Sequence, residues 1–149
     1  MRKDIVLVTG GAGFIGSHFV RKLLARPEPP DVVVFEKLTY AANLKNLSGL
    51  SYDLICGDLA DKDDVRKLLD FNFSHIVHLA AESHVDRSIE GPEVFVRSNL
   101  QGTFNLLELA LEKKKHIKKF LHVSTDEVYG ELGPVGQFTE STRYAPNSP

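Results

Sequence analysis

Hydrophobic positions along this chain come in two textures, short unbroken runs and stripes spaced three or four residues apart, and the two alternate. Ile5 to Thr9 is a run rich in β-branched residues and closed by glycines, which predicts a strand buried on both faces. From Phe14 to Ala25 the apolar residues Ile15, Phe19, Val20, Leu23 and Leu24 fall at helical spacing, and Pro27, Pro29 and Pro30 stop the helix. Val32 to Phe35 reads as a second buried strand ending at Glu36, and residues 37–50, without a clean period, as a loop with a short helical turn. Ser51 to Cys56 is a weaker third strand. Asp61 then caps a helix whose inner face is Val65, Leu68 and Leu69, and His75 to Ala80 is a fourth strand. Gly91-Pro92 opens a long helix reaching Lys114, with Leu100, Phe104, Leu107 and Leu111 expected on its inner face and Val96 and Leu109 on its outer side. Lys119 to Ser124 is a fifth strand. After Tyr129, glycines and prolines punctuate a polar loop.

Strand alternating with helix predicts an α/β fold, a doubly wound parallel sheet of order 3-2-1-4-5. Residues 1–149 suit one domain. Apolar residues make up 42% of the chain and charged residues 26%, with a formal net charge of -2, so no positive excess is present to hold a nucleic-acid backbone or an anionic membrane. The run after Asp4 is too short for a signal-peptide core or a membrane span. A lone cysteine, Cys56, forms no internal disulfide and is expected to be a small buried residue; with the missing leader, this points to the cytoplasm. His78 and His122, flanked by strand apolars, are expected to be satisfied core residues. His18, His75 and His116 carry no pattern, and no pair has zinc spacing, so no metal is expected.

Candidate chemistry begins at Gly10, Gly13 and Gly16. Glycines also mark plain turns, but these three follow a strand and open a helix. There Gly10 permits the tight turn, Gly13 lets backbone approach a pyrophosphate, and Gly16 lets helix pack close to strand. The free amides of the helix start would bind the phosphates of a dinucleotide. Glu36, about 20 residues further on, stands where an acid binds the adenosine ribose, and its charge would repel a 2′-phosphate; this favours NAD over NADP. Asp58, at the end of the third strand, either caps the following loop or contacts adenine.

More specific motifs accompany the glycines: Lys37-Leu38-Thr39-Tyr40-Ala41-Ala42-Asn43-Leu44, Leu79-Ala80-Ala81-Glu82-Ser83-His84-Val85-Asp86-Arg87-Ser88, Asn99 with Gly102-Thr103, and Ser124-Thr125-Asp126-Glu127-Val128-Tyr129-Gly130. Over essentially its whole length the chain resembles the dTDP-glucose 4,6-dehydratases of the extended short-chain dehydrogenase/reductase family. Their loop motif KLTYAGNL, and LAAESHVDRS, NxxGT and STDEVYG, are matched here. The stretch Tyr144 to Pro149 is similar to the one that precedes the family's YxxxK. Glu36 departs from the usual Asp by one methylene. No Tyr-x-x-x-Lys occurs, so the resemblance implies a Rossmann-type fold truncated before the YxxxK helix and inactive alone.

The resemblance also implies where ligands sit. NAD would be held by Gly10, Gly13, Phe14, Ile15 and Gly16 of the glycine loop and by Glu36, Lys37, Leu38 and Thr39 after the second strand. Further contacts would come from Asp58 and Leu59 after the third strand, from Leu79, Ala80, Ala81 and Ser83 after the fourth, and from Ser98 on the long helix. A nucleotide sugar, dTDP-glucose, would meet Ser83, His84 and Thr125. The implied reaction oxidises C4 with NAD, eliminates water across C5–C6 and returns hydride to C6, giving dTDP-4-keto-6-deoxyglucose. Thr125 would hydrogen-bond the C4 oxygen, Asp126 would act as the acid at the C6 oxygen and Glu127 as the base at C5. The full-length enzyme would be a homodimer, with the long helix in its interface. The competing readings are a nucleotide-sugar 4-epimerase or decarboxylase on the same scaffold, and a non-catalytic NAD-binding module.

Overall fold

In the structure, a computed structural model that describes residues 3–147, every apolar run becomes a strand. Strands β1 (Ile5–Thr9), β2 (Asp31–Glu36), β3 (Asp53–Cys56), β4 (His75–His78) and β5 (Lys119–His122) form one parallel sheet of order β3-β2-β1-β4-β5. The order reverses at β1, which pairs with β2 through Thr9 and Phe35 and with β4 through Thr9 and His78.

Alternate residues of the central strands feed two cores. Leu7, Val33, Phe35 and Ile76 pack on one face with Val65, Leu68, Phe73, Leu106 and Leu109; Val6, Val8, Val32 and Val34 pack on the other with Ala12, Val20 and Leu47. Both faces being covered explains why these strands are apolar without alternation. Helix α1 (Phe14–Leu24) lies on the second face. Helix α2 (Lys62–Arg66), extended by a 3-10 turn at Lys67–Asp70, lies on the first, its start capped by Asp61 accepting from the Asp63 amide at 2.8 Å. The loop after β2 holds the expected short turn, Leu44–Leu47.

The long helix corrects the sequence reading. It begins after a short α3 (Val85–Glu90) and is interrupted: α4 (Pro92–Phe95) passes through a wider π-helical stretch, Val96–Gln101, into α5 (Gly102–Glu112). Its faces are the reverse of those expected. Leu100, Phe104, Leu107 and Leu111 are exposed, and Leu109 is buried with Leu106, whereas Val96 is exposed as expected. The chain offers two apolar stripes here. The inner one contains Gly102 and Asn105, which hydrophobicity counts against it, yet both belong there. A Cβ on Gly102 would meet the Leu59 Cβ at 3.0 Å, and Asn105 Nδ2 donates to the Leu59 carbonyl at 2.8 Å. The π-helical stretch also shifts the phase of the face between Phe95 and Gly102.

Two further expectations fail at the sheet edges. Cys56 is exposed, because β3 is an outer strand and the face carrying Leu54 and Cys56 is left uncovered. His122 is also exposed, at the end of β5 on the opposite edge, its ring 5.1 Å from that of His78. His78 is a satisfied core residue, 1% exposed.

Candidate functional site

Glycine sterics shape the crevice at the β1 switch point. Gly10 adopts φ +70°, and a Cβ there would lie 2.8 Å from the Ala80 backbone. At Gly16 a Cβ would fall 2.0 Å from the Gly10 carbonyl, so helix and turn touch only because neither has a side chain. At Gly13 it would meet only that same carbonyl at 3.3 Å, leaving its outer side open to a ligand. The first-turn amides of α1, at Phe14, Ile15 and Gly16, have no carbonyl one turn before them within the helix, and no side chain caps them. That is the arrangement that receives a phosphate.

Glu36 is buried at the end of β2, and its carboxylate is gripped by backbone. Oε2 accepts from the Ala12 amide at 3.1 Å, while Oε1 accepts from Lys37 at 3.0 Å and Leu38 at 3.2 Å. Leu38 has φ +59°, an unusual conformation for a residue with a Cβ, and that twist lets two successive amides converge on one oxygen. A fixed negative charge therefore stands beside the glycine loop.

Asp58 follows β3. Its Oδ1 accepts from the Ala60 amide at 2.9 Å, which is the loop-capping role left open by the sequence; its Oδ2 lies 2.9 Å from Lys37 Nζ and 3.7 Å from Arg97 Nη2. Burial pushes the Asp58 carboxyl up, but the Lys37 hydrogen bond, the Ala60 amide and the charges of Lys37 and Arg97 together hold it below the usual carboxylate value.

The wall across from these groups, Leu79 to Glu82, is set by two hydrogen-bond systems. Thr9 Oγ1 accepts from the Ala80 amide at 3.3 Å and lies 2.7 Å from His78 Nδ1, and His78 Nε2 lies 2.9 Å from Thr103 Oγ1. Both ring nitrogens of His78 are thus paired with hydroxyl groups, one on Thr9 and one on Thr103. Burial, then the neighbouring His122, push His78 down to about 4. Asn99 binds the backbone of Glu82 on both sides. The Arg87 guanidinium sits 3.9 Å above the Tyr40 ring, joining the loop after β2 to the segment after β4.

A cleft open to solvent runs between these parts. Of the residues expected to hold a cofactor, Gly10, Gly13, Glu36, Lys37, Thr39, Asp58, Leu59, Leu79, Ala80, Ala81 and Ser98 line it. Phe14, Ile15, Gly16, Leu38 and Ser83 lie outside the lining, and the side chains of Phe14 and Ile15 are exposed. Phe35, Ala41, Ala42, Gly57 and Glu82 line the cleft without having been singled out. Gly57 had a legible signal, a glycine just before Asp58: a Cβ there would strike the Phe35 ring at 2.7 Å.

Thr125, Asp126 and Glu127 are exposed and do not line the cleft. They follow β5, at the same carboxyl edge of the parallel sheet, on a 3-10 turn at Asp126–Tyr129 whose start Thr125 caps by accepting from the Glu127 amide at 3.3 Å. The chain beyond folds back on this turn. Tyr129 stacks with Phe138 at 5.2 Å and packs at 5.6 Å against Tyr144, and the Ala145 amide donates to Val128. His84 and Ser83 are exposed between β4 and α3. Ser148 and Pro149, the end of the stretch likened to the segment before YxxxK, lie outside the described residues.

Residues 7–149 match the family described as GDP-mannose 4,6 dehydratase. The chain is 48% identical to a dTDP-glucose 4,6-dehydratase of Xanthomonas campestris, over 96% of this chain and 44% of that protein. Among solved structures, the DesIV dTDP-glucose 4,6-dehydratase of Streptomyces venezuelae, with NAD and TYD bound, superposes with a TM-score of 0.87 at 48% identity, covering 97% of this chain and 46% of that one. A Thermus thermophilus UDP-glucose 4-epimerase in complex with NAD gives 0.86 at 36% identity, covering 97% and 45%. The chain thus spans less than half the length of the relatives it matches.

Proposed function

Because the chain belongs to the family described as GDP-mannose 4,6 dehydratase, we propose that it is the cofactor-binding part of an NAD-dependent dTDP-glucose 4,6-dehydratase, a lyase forming dTDP-4-keto-6-deoxyglucose. The observation that carries this reading is one sheet edge bearing a glycine cradle, an amide-fixed glutamate and the Asp126–Glu127 pair. A 4-epimerase shares the fold almost equally, so superposition does not choose between them; an acid and a base side by side after Thr125 have a use in eliminating water that they lack in epimerisation.

The residues fit NAD. Gly10, Gly13 and the first-turn amides of α1 would cradle its pyrophosphate, Glu36 would face the adenosine ribose, and Leu79 to Ala81 would pack along the nicotinamide side. When bound, NAD supplies a reversible hydride acceptor. The Thr125 hydroxyl already accepts from the Glu127 amide, so its hydrogen is free to donate to the sugar C4 oxygen. Asp126 would protonate the departing C6 hydroxyl. Glu127 would take the C5 proton, which a neighbouring C4 carbonyl makes acidic. Ser83 and His84 would contact the sugar nucleotide. The remaining base chemistry, a Tyr-x-x-x-Lys pair, would come from sequence beyond this chain, which alone would be inactive. The cytoplasm is its compartment, and a second copy its partner.

Calorimetry with NAD and NADP, and turnover of dTDP-glucose by the full-length protein, test this. Tight NAD binding with release of the 4-keto-6-deoxy sugar is expected; equal or tighter NADP binding, or dTDP-galactose as the product, would overturn it.

A further inference from the structure

We propose that Asp58 sets the choice between NAD and NADP by neutralising Lys37. This rests on the reading of the cleft as an NAD site. Lys37 directly follows Glu36, at the end of the crevice where the adenosine ribose would lie, and it carries a long, half-exposed amine. An unengaged lysine there is a natural ligand for a 2′-phosphate. It would undercut the repulsion from Glu36, whose carboxylate is held by backbone amides and neutralised by no cation among the described residues. In the structure Lys37 is engaged, its Nζ 2.9 Å from Asp58 Oδ2.

Asp58 is the anchor of this pair and Lys37 the follower. The Asp58 Oδ1 accepts from the Ala60 amide, and its own amide donates to Asp64 Oδ2 at 2.8 Å, so the loop after β3 fixes it independently of Lys37. Arg97, 3.7 Å from the same Oδ2, would otherwise add a second positive charge to the cleft wall. With Asp58 ionised, the charges of Lys37 and Arg97 are balanced by those of Asp58 and Glu36, while Asp64 is paired with Lys67. Without it the balance tips to a net positive charge beside the ribose, and a cofactor bearing an extra phosphate gains most.

The test compares dissociation constants for NAD and NADP in the full-length protein and its Asp58→Asn variant. Asparagine keeps an oxygen for the Ala60 amide and removes the charge. The ratio of NADP to NAD affinity is expected to rise about tenfold at low salt, and less as salt is added. A D58N/K37M double variant should return the ratio to the starting value. Adenine and the pyrophosphate are common to both cofactors, so a general loss of folding or of an adenine contact moves both constants and leaves the ratio alone. A D58N ratio equal to wild type, or one that stays raised in the double variant, overturns the inference while the NAD reading stands. A wild-type protein that binds neither cofactor overturns both.

Discussion

Asn99 holds both backbone polar groups of Glu82: its Oδ1 accepts from the Glu82 amide and its Nδ2 donates to the Glu82 carbonyl, each at 2.8 Å. This pins the end of the Leu79–Glu82 wall to the long helix. Replacing Asn99 with Ala leaves an amide and a carbonyl without their partners, at a cost of about 1–3 kcal/mol. Thermal melts of the full-length protein should show a lowered Tm, and weakened cofactor binding should accompany it. An N99A protein with unaltered Tm and NAD affinity would show that the clamp is idle.

Gly13 and Gly16 should respond to alanine in opposite ways. The Gly16→Ala methyl has no room against the Gly10 carbonyl, so the variant should lose several kcal/mol of stability or fail to fold, as overpacking against rigid backbone does. The Gly13→Ala methyl meets the same carbonyl at 3.3 Å and needs only a small shift. That protein should keep a near-normal urea midpoint yet lose NAD affinity by about tenfold or more, because its methyl occupies the phosphate approach. Equal loss of stability in both would contradict the division of labour.

Acid should weaken the fold through His78. Its folded value is about 4 against 6.5 for the free side chain, so the unfolded chain takes up a proton first. The stability is fully present above pH 6.5 and falls as the pH drops toward 4, by about 3 kcal/mol if His78 acts alone. Asp58 is lowered too, so acid acts on it with the same sign, but its contribution is lost at lower pH, through the carboxylate range. Urea unfolding at pH 7 and pH 4.5 reads the difference; a flat profile between them would remove His78 as the cause.

In the full-length protein, Asp126→Asn and Glu127→Gln should slow water elimination by about 10²-fold or more while sparing the first oxidation. Transient NADH absorbance measured against product release separates the two steps. Wild-type turnover in either variant would retire that residue's role.

The exposed stripe Leu100, Phe104, Leu107 and Leu111 should make the 149-residue chain associate when expressed alone. Light scattering should report species larger than a monomer, and Leu107→Lys with Leu111→Lys should shift them toward monomer. A clean monomer before any substitution would show the stripe to be harmless.

Much of this molecule was legible in the sequence because its signals were redundant. The strand runs, the glycine spacing and Glu36 each predicted the same crevice, and the order β3-β2-β1-β4-β5 followed. The long helix was misread because it is apolar on two sides and its true inner face uses Gly102 and Asn105, residues whose value is contact geometry rather than hydrophobicity. Cys56 and His122 differ from expectation because residue type says nothing about whether a strand ends up at the edge of the sheet. The partners of Asn99, Thr103 and Lys37 were invisible for a different reason. Each acts across the fold on a residue distant in sequence, as Thr103 does on His78, and only the tertiary structure brings the two together.

The reversal of strand order at β1 also has a temporal side. Thr9 finds Phe35 after one short crossover, whereas its other neighbour, His78, lies 69 residues on. Closing a longer loop costs only logarithmically more, but the chain between is itself folding, so β2 and β3 can dock while β4 is still being synthesised. The half that would carry adenosine therefore matures first. The nicotinamide half, waiting on β4, Thr103 and Asn99, completes the crevice last, and in nascent chains stalled at increasing length, ordering at His78 should trail ordering at Phe35.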